Sequence, residues 1–157
     1  MAPAQLDVRA ALCPICQLCA QYGGTFVWRN DKLRVIRADE AGFLAYYRVV
    51  WNAHLAEFSD LSTADRAHCM DVVAQVEQAL RQHLQRTKIN LAALGNRVPH
   101  LHWHVIARFD WDSHLPAAVW VVAQREHALG HEAAVRERLP AMEAQLGGYL
   151  GLAWLTF

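Results

Sequence analysis

The stretch VPHLHWHVIARF, residues 98–109, carries His100, His102 and His104 at every second position of an otherwise apolar segment. Side chains of a β-strand alternate between two faces, so the three imidazoles share one face and the apolar residues between them form the core face. Three imidazoles on one face can bind a metal, exchange protons around an anion, or attack phosphorus as nucleophiles. The alternative is a solvated strand face that happens to hold histidines.

Length and composition predict a single packed domain. The 157 residues are too few to divide comfortably into two domains. Apolar residues make up 54% and charged residues 19%, which favours a packed globule over a disordered chain. Fifteen basic and fifteen acidic residues leave no net charge, so bulk electrostatics does not steer the protein to nucleic acid or to a membrane. We expect one domain over 1–157, with a core over about 12–120 and a C-terminal extension over about 121–157.

The N-terminal region bears on the cellular compartment. It has neither the apolar core nor the basic flank of a signal peptide, and no apolar run approaches the roughly 20 residues of a membrane span, so we expect a cytoplasmic protein. Cysteines in a reducing compartment stay as thiols, so the pair Cys13 and Cys16 predicts metal or redox chemistry rather than a disulfide. The redox interpretation is weaker, because a thioredoxin-type motif opens a helix after a buried strand. Cys69 lies in a helical pattern and is expected in the core.

The order of predicted elements indicates an α+β fold. Segments 25–30, 32–38, 46–54, 88–94 and 98–109 are strand candidates, and a hairpin turn is expected at Asn30-Asp31 between the first two. Ser62 is the predicted N-cap of an amphipathic helix over 62–86. A C-terminal segment over about 126–146 has helical composition, with a break expected near Pro140. We therefore predict an antiparallel sheet of about five strands, with a long helix on one face and a C-terminal helical segment.

The histidine segment also resembles a known family. His-Leu-His-Trp-His-Val-Ile matches the His-x-His-x-His-x-x signature of the histidine-triad (HIT) nucleotide hydrolases and transferases. The similarity extends through KINLAALGN and WNAHLAEFSDLS and resembles bacterial members of the diadenosine-polyphosphate-hydrolase-like type. It covers residues from about 12 to 120. It implies a HIT-like fold, a nucleotide substrate such as a dinucleoside polyphosphate or an adenylated small molecule, and a homodimer.

The resemblance assigns the chemistry to the second and third histidines. It implies that His102 attacks the α-phosphorus of a nucleotide ester, anhydride or phosphoramidate, and that water hydrolyses the resulting covalent nucleotidyl-histidine. His104 would hold the phosphate oxygens. Asn90 and Asn96 occupy the region where relatives place amide or hydroxyl side chains near the phosphate or leaving group. Asn96 is equally well explained as a turn residue beside Gly95.

Two charged regions have less certain roles. Relatives hold the ribose hydroxyls with an acidic residue just after the second strand, and Asp39 or Glu40 is the candidate here. Either carboxylate is also explained as a solvated turn charge. Arg108 lies beyond His104 on the same predicted face and is within reach of a polyphosphate, although an arginine at a strand end is more often a solvated charge.

The first histidine departs from many bacterial relatives, which often have glutamine there. Some HIT relatives, including the galactose-1-phosphate uridylyltransferase branch, have a Cys-x-x-Cys that joins two histidines around a structural zinc. The matching residues here are Cys13, Cys16, His54 and His100, with Cys19 as an alternative ligand. A closed four-ligand zinc is structural, so the chemistry itself would need no cofactor. The alternative is that the cysteines are buried apolar fillers.

Two other functions fit the same residues. His-x-His is a common catalytic zinc pattern, so the three histidines are also candidate ligands of a metalloenzyme or a metal-binding module. A non-catalytic nucleotide-binding protein would keep the pocket with little turnover. Trapping a covalent intermediate separates these functions from nucleotide hydrolysis.

Overall fold

The computed structural model describes residues 16–86 and 88–152, and it places five strands in one sheet. Every pairing in the sheet is antiparallel. The strands are β1 (Thr25–Arg29), β2 (Leu33–Arg37), β3 (Tyr46–Trp51), β4 (Lys88–Ala92) and β5 (His102–Arg108), in the order β1-β2-β3-β5-β4. The α-helices are α1 (Gln17–Ala20), α2 (Thr63–His83) and α3 (Glu132–Leu152). The predicted α+β class with a five-stranded antiparallel sheet is confirmed. Across these described ranges, no helix is both long and apolar enough to cross a membrane.

A tight turn joins β1 to β2 at the expected position. The side-chain oxygen of Asn30 accepts hydrogen bonds from the backbone N–H groups of Lys32 and Leu33, at 2.9 and 2.8 Å. Asparagine favours turns because its short side chain can bond the backbone in this way. Both strands end close to their predicted limits.

Helix α2 forms where the sequence predicts it. The Ser62 hydroxyl accepts the Asp65 N–H at 3.1 Å, which is the N-cap hydrogen bond that this residue type supplies. The buried side chains of α2, among them Cys69 at 1% exposure, lie in the main core cluster. The helix ends at His83, three residues before the predicted limit. It packs on β3, β4 and β5 and so fills the core face of the sheet.

Helix α3 corrects one expectation. It runs from Glu132 to Leu152 without the break predicted near Pro140, and it begins six residues later than predicted. An interior proline costs a helix about 3 kcal/mol, because it removes one backbone hydrogen bond and crowds the preceding turn. Four apolar side chains of α3 are at most 1% exposed, and each contributes about 1.5–3 kcal/mol by burial. They are Leu139, Met142, Leu146 and Leu150. Burial therefore outweighs the cost of the proline, whose own side chain is exposed.

The other face of the sheet carries the histidines, and we call it the histidine face. Directly paired residues of antiparallel strands point to the same face. Three pairs between β3 and β5 therefore belong to this face. They are Tyr46 with Ile106, Arg48 with His104, and Val50 with His102.

Two segments cover part of the histidine face. At one side, residues 16–22 pack against Ile36 and Val50. At the other side, Val119 from the long loop after β5 packs against Tyr46 and Ile106. His102 and His104 lie on the strand between these two covers.

Candidate active site

His102 is held in one tautomer by the backbone. Its Nδ1 lies 2.6 Å from the carbonyl oxygen of His100. A carbonyl oxygen only accepts hydrogen bonds, so Nδ1 carries the proton and Nε2 keeps its lone pair. Burial lowers the pKa of His102, and its side chain is 8% exposed. The ring is therefore neutral at neutral pH, and the lone pair of Nε2 is available to a ligand.

His104 stands beside His102 and is anchored by a tyrosine. The centroids of the two imidazoles are 4.8 Å apart. The Tyr46 hydroxyl lies 2.9 Å from His104 Nδ1. With the hydroxyl donating to Nδ1, the ring proton lies on Nε2, where it can bond a phosphate oxygen. Burial foremost lowers the pKa of His104 to about 3, and repulsion from Arg48 and from a protonated His102 adds to this, so the ring is neutral at pH 7.

Three residues near the triad are absent from the sequence prediction. Tyr46 and Arg48 point to the histidine face from β3. The ring centroids of Trp120 and His104 are 5.0 Å apart, in an edge-to-face arrangement. Alternation along β3 does separate Tyr46 and Arg48 from the core face, and this is the signal that could have found them. Trp120 lies in a loop, where no periodicity indicates its direction.

Asn90 and Arg108 lie on the histidine face but contact each other. Arg108 is 1% exposed, so it is not a solvated strand-end charge. Its Nε and Nη2 donate to the two carboxylate oxygens of Asp112 at 2.8 and 2.9 Å, and its Nη1 donates to Asn90 Oδ1 at 2.8 Å. Burial opposes ionisation of Asp112, but Arg108 and three backbone N–H groups hold the pKa of this carboxyl down to about 2. Arg108 therefore holds the start of the loop after β5, at Asp112, against the sheet.

The remaining substrate candidates lie at the surface. Asp39 follows β2 and is exposed, and Asn96 is exposed in a bend after Gly95, whose φ is +74°. Glu40 forms an ion pair with Arg48, with Oε1 2.8 Å from Nη2. Among the described residues, hydrogen bonds do not join Asp39 or Asn96 to the histidines.

A second cluster lies next to His102. The ligand atoms of Cys16, Cys19, His54 and His100 all lie within 4.8 Å of one another. His100 Nδ1 is 3.4 Å from each of the two sulfur atoms, and His54 Nδ1 is 3.3 Å from Cys19 Sγ. Around a tetrahedral zinc with two sulfur and two nitrogen ligands, the ligand atoms lie about 3.3–3.8 Å from one another, given the bond lengths to the metal. The donor set fits zinc, and the three nitrogen–sulfur distances of 3.3–3.4 Å are close to those of a bound ion. Cys13, the other predicted ligand, lies outside the described residues.

His100 has the environment of a metal ligand. Its Nε2 donates to the carbonyl oxygen of Trp51 at 2.6 Å, so Nδ1 faces the cysteines with its lone pair. Burial lowers the pKa of His100 to about 4, which keeps the ring neutral as coordination requires. Cys16, Cys19 and His100 are buried and His54 is exposed. Both cysteines are free thiols.

Arg34 ties the cysteine segment to the sheet. This residue of β2 is fully buried. Its Nη2 donates to the carbonyl oxygens of Leu18 and Gln21 at 2.6 and 3.1 Å, and its Nε donates to the carbonyl oxygen of Tyr22 at 3.3 Å. These bonds satisfy carbonyl groups at the end of the short helix α1. The segment that carries Cys19 therefore has a fixed position on the histidine face.

Comparison with known proteins places this geometry in a family. The HIT domain matches residues 20–111. A histidine triad protein from Bradyrhizobium japonicum is 28% identical, with a TM-score of 0.65 over 79% of this chain and 90% of that one. A histidine triad protein from Sinorhizobium meliloti is 26% identical, with a TM-score of 0.64 over the same shares.

A zinc-bound histidine triad family protein from Mycobacterium smegmatis is 19% identical, with a TM-score of 0.56 over 88% of this chain and 96% of that one, and it shows the fold alone. A search of curated proteins finds no match. The HIT domain spans more than half of the chain and contains all three histidines. This chain belongs to the HIT domain family.

Proposed function

We propose that the protein is a nucleotide hydrolase that acts at the α-phosphorus through a covalent nucleotidyl-histidine. The observation that carries this proposal is the hydrogen bond from His102 Nδ1 to the His100 carbonyl, which leaves Nε2 as the free lone pair. Substrates of the class are dinucleoside polyphosphates and nucleoside phosphoramidates. These two kinds of substrate are the ones that the resemblance to HIT proteins implies.

The proposed reaction has two displacements at one phosphorus. His102 Nε2 attacks the α-phosphorus, a nitrogen–phosphorus bond forms, and the bond to the leaving group breaks with its electron pair. Water then attacks the same phosphorus, the nitrogen–phosphorus bond breaks, and a nucleoside monophosphate leaves. His104, adjacent to His102, stabilises the charge on the phosphoryl oxygens by donating from Nε2.

Three further side chains are proposed as substrate contacts. The side-chain Oδ1 of Asn90 accepts a hydrogen bond from Arg108, which orients the amide and leaves its N–H groups to bond a substrate. Asp39 is assigned to the ribose and Asn96 to the leaving group, on the strength of the family resemblance. Both are exposed and accessible to a ligand.

The nucleophile is tested by His102→Asn, with His68→Asn as the matched control because His68 lies on α2, away from the histidine face. Removal of the nucleophile should lower kcat by more than about 1,000-fold on a panel of adenylated and guanylated substrates. The control should keep wild-type kcat. Mass spectrometry after a rapid quench in denaturant at alkaline pH, which preserves the acid-labile nitrogen–phosphorus bond, should find the nucleotidyl adduct in wild type and not in His102→Asn. Substantial turnover by His102→Asn would overturn the assignment, and a wild type that binds but never cleaves nucleotides would favour a binding protein.

We also propose that Cys16, Cys19, His54 and His100 hold one structural zinc. A four-ligand site leaves no position for a substrate, so the ion supplies cross-linking of the N-terminal segment to the sheet. The zinc named for the Mycobacterium smegmatis protein agrees with this, but the proposal rests on the donor set found here. Within the described ranges, no group of three or more candidate ligands contains His102 or His104, which disfavours a metal bound by the triad itself.

Zinc is tested by elemental analysis of protein purified without added metal, which should give about one zinc per chain. Cys19→Ser should lower zinc content and Tm together, whereas Cys69→Ser, a core thiol outside the cluster, should keep the zinc. Cys16 has the same spacing to Cys13 as to Cys19, so either cysteine could complete the pair. Cys13→Ser distinguishes the two and should leave the zinc in place. Zinc retained by Cys19→Ser, or lost from His102→Asn, would contradict the ligand set.

The family resemblance also leads us to propose a cytoplasmic homodimer. Sedimentation equilibrium should give twice the chain mass of 17.7 kDa. A monomer at micromolar concentration would remove the dimer and leave the site unchanged.

A further inference from the structure

The two imidazoles of the proposed site bring no positive charge. Burial foremost lowers the pKa of His102 and of His104, so both rings are neutral at pH 7. A neutral imidazole donates a hydrogen bond to a phosphoryl oxygen, but it does not offset the charge of that oxygen. A cation fixed beside the phosphoryl group would stabilise the bound substrate and the transition state.

Arginines of β2, β3 and β5 lie on the histidine face and have different partners. Arg34 donates to carbonyl oxygens of the cysteine segment. In Arg108, Nε and Nη2 form a fork that the two carboxylate oxygens of Asp112 fill. In Arg48 only half of the same fork is used, because Nη2 pairs with the Glu40 carboxylate while the buried Nε has no hydrogen-bond partner among the described residues. Arg48 therefore keeps donor capacity for a ligand.

Strand register places Arg48 beside both imidazoles. It is the direct partner of His104 in the β3–β5 ladder, and partners of this kind have Cβ atoms about 4.5–5.5 Å apart on the same face. His102 is its diagonal neighbour, at a separation of about 7–8 Å that long side chains can span. After burial, the charge of Arg48 also contributes to the lowered pKa of each ring. The guanidinium is therefore close to both His102 and His104.

The proposed covalent step determines where the α-phosphate must lie. Its phosphorus is bonded to His102 Nε2, and one of its oxygens accepts a hydrogen bond from His104 Nε2. We propose that Arg48 donates to another non-bridging oxygen of the same phosphate and is a further catalytic residue of this site. This inference rests on the proposed function and deepens it. A guanidinium binds phosphate oxygens in the forked geometry that it uses for a carboxylate, so the phosphate would take the place of Glu40, whose side chain is 44% exposed.

A contact with the α-phosphate predicts the same loss for every leaving group. Arg48→Met keeps most of the apolar stem and removes the charge. It should lower kcat/KM about 10- to 100-fold on both diadenosine triphosphate and adenosine 5′-phosphoramidate. Arg48→Lys should retain part of the activity on both, because it keeps the charge but loses the fork. Arg81→Met, an exposed arginine of α2, is the matched control and should change neither. A loss confined to the triphosphate, or a loss below about threefold on both, would overturn the inference.

Sulfur substitution distinguishes a direct contact from a structural role. Adenosine 5′-phosphoramidate can carry sulfur in place of either non-bridging oxygen, which gives two diastereomers. Sulfur is a weak hydrogen-bond acceptor, so it weakens the contact made by the oxygen that it replaces. For one diastereomer, the loss in kcat/KM caused by sulfur should be about 10-fold smaller in Arg48→Met than in wild type, because the variant no longer makes that contact. Sulfur effects that are the same in both proteins, for both diastereomers, would show a structural role.

Binding separates this inference from the proposed function. In a His102→Asn background, calorimetry with AMP and adenosine measures the contribution of the phosphate without chemistry. Arg48→Met should weaken AMP binding about 10- to 100-fold and adenosine binding less than about threefold. Equal losses for AMP and adenosine would overturn the inference. Substantial turnover by His102→Asn alone would overturn the covalent mechanism instead, and the AMP and adenosine affinities would still decide the role of Arg48.

Discussion

Replacement of Tyr46 by phenylalanine tests whether the anchor of His104 matters for the reaction. Tyr46 is 2% exposed and its hydroxyl lies 2.9 Å from His104 Nδ1. Tyr46→Phe removes one oxygen atom and keeps the ring that packs against Ile106. The expected result is an unanchored His104 ring in a site whose fold is intact.

The size of the effect follows from that single hydrogen bond. The bond joins two neutral groups, and its loss leaves the buried Nδ1 without a donor, which costs about 1–2 kcal/mol. If His104 keeps the bond while it stabilises the transition state, the cost raises the barrier, and kcat should fall about 5- to 30-fold. KM should change little, because substrate binding has other contacts.

The neighbouring residue provides a matched control. Tyr47 points to the core face, where its hydroxyl donates to Glu143 at 2.7 Å. Tyr47→Phe makes the same chemical change on the opposite face of the same strand. It should lower the free energy of unfolding by about 1–2 kcal/mol and leave kcat within about twofold of wild type. Urea unfolding and steady-state kinetics on one set of substrates measure both quantities for both variants.

Two results would refute this reasoning. If Tyr46→Phe keeps kcat within about twofold, the hydroxyl does not support His104 during the reaction. If Tyr47→Phe lowers kcat as much as Tyr46→Phe does, the effect comes from general loosening of β3. A crystal structure of Tyr46→Phe with an unmoved His104 ring would show which step of the argument fails.

Three further predictions concern stability. Burial foremost lowers the pKa of His104 from 6.5 to about 3, so between these pH values the unfolded chain binds a proton that the folded chain does not. The contribution of His104 to stability is complete above about pH 6.5 and is lost as the pH falls towards 3. Urea unfolding near pH 5 should therefore show that the free energy of unfolding of His104→Gln depends on pH less steeply than that of wild type, by about 1.4 kcal/mol per pH unit. Asp112→Asn leaves the buried Arg108 without its carboxylate and should cost about 3–5 kcal/mol in urea unfolding, whereas the exposed Asp110→Asn should cost less than about 0.5 kcal/mol. Pro140→Ala restores a backbone hydrogen bond of α3 and should raise stability by about 1–2 kcal/mol, and an unchanged Tm would show that the helix does not bear the usual cost.

The sequence predicted those parts of the fold that depend on local pattern. Strand-forming residues between turn signals located all five strands to within a few residues, and the side-chain chemistry of Asn30 and Ser62 marked a turn and a helix start. The break at Pro140 was wrong, because local propensity takes no account of the burial that α3 gains against α2 and β1. Tertiary packing decided that element.

The candidate site was predicted less completely, for two physical reasons. Arg48 and Tyr46 approach the histidines across strands, and register between strands cannot be read from one segment alone. The cysteines form two overlapping Cys-x-x-Cys pairs, since Cys16 is separated by two residues from both Cys13 and Cys19. Spacing is identical in the two pairs, so only the three-dimensional position of Cys19 beside His100 distinguishes them.

His100 shows how one position can serve two requirements through separate atoms. Its carbonyl oxygen accepts the Nδ1 hydrogen of His102, and every amino acid has that oxygen. Its side chain points elsewhere, to the two thiols. A glutamine at this position, as in many bacterial relatives, would keep the carbonyl oxygen that accepts from His102 and would lose the imidazole that faces the thiols. The proposed reaction therefore places no demand on the identity of this side chain, and the position can gain or lose a metal ligand without altering the hydrogen-bond partner of His102.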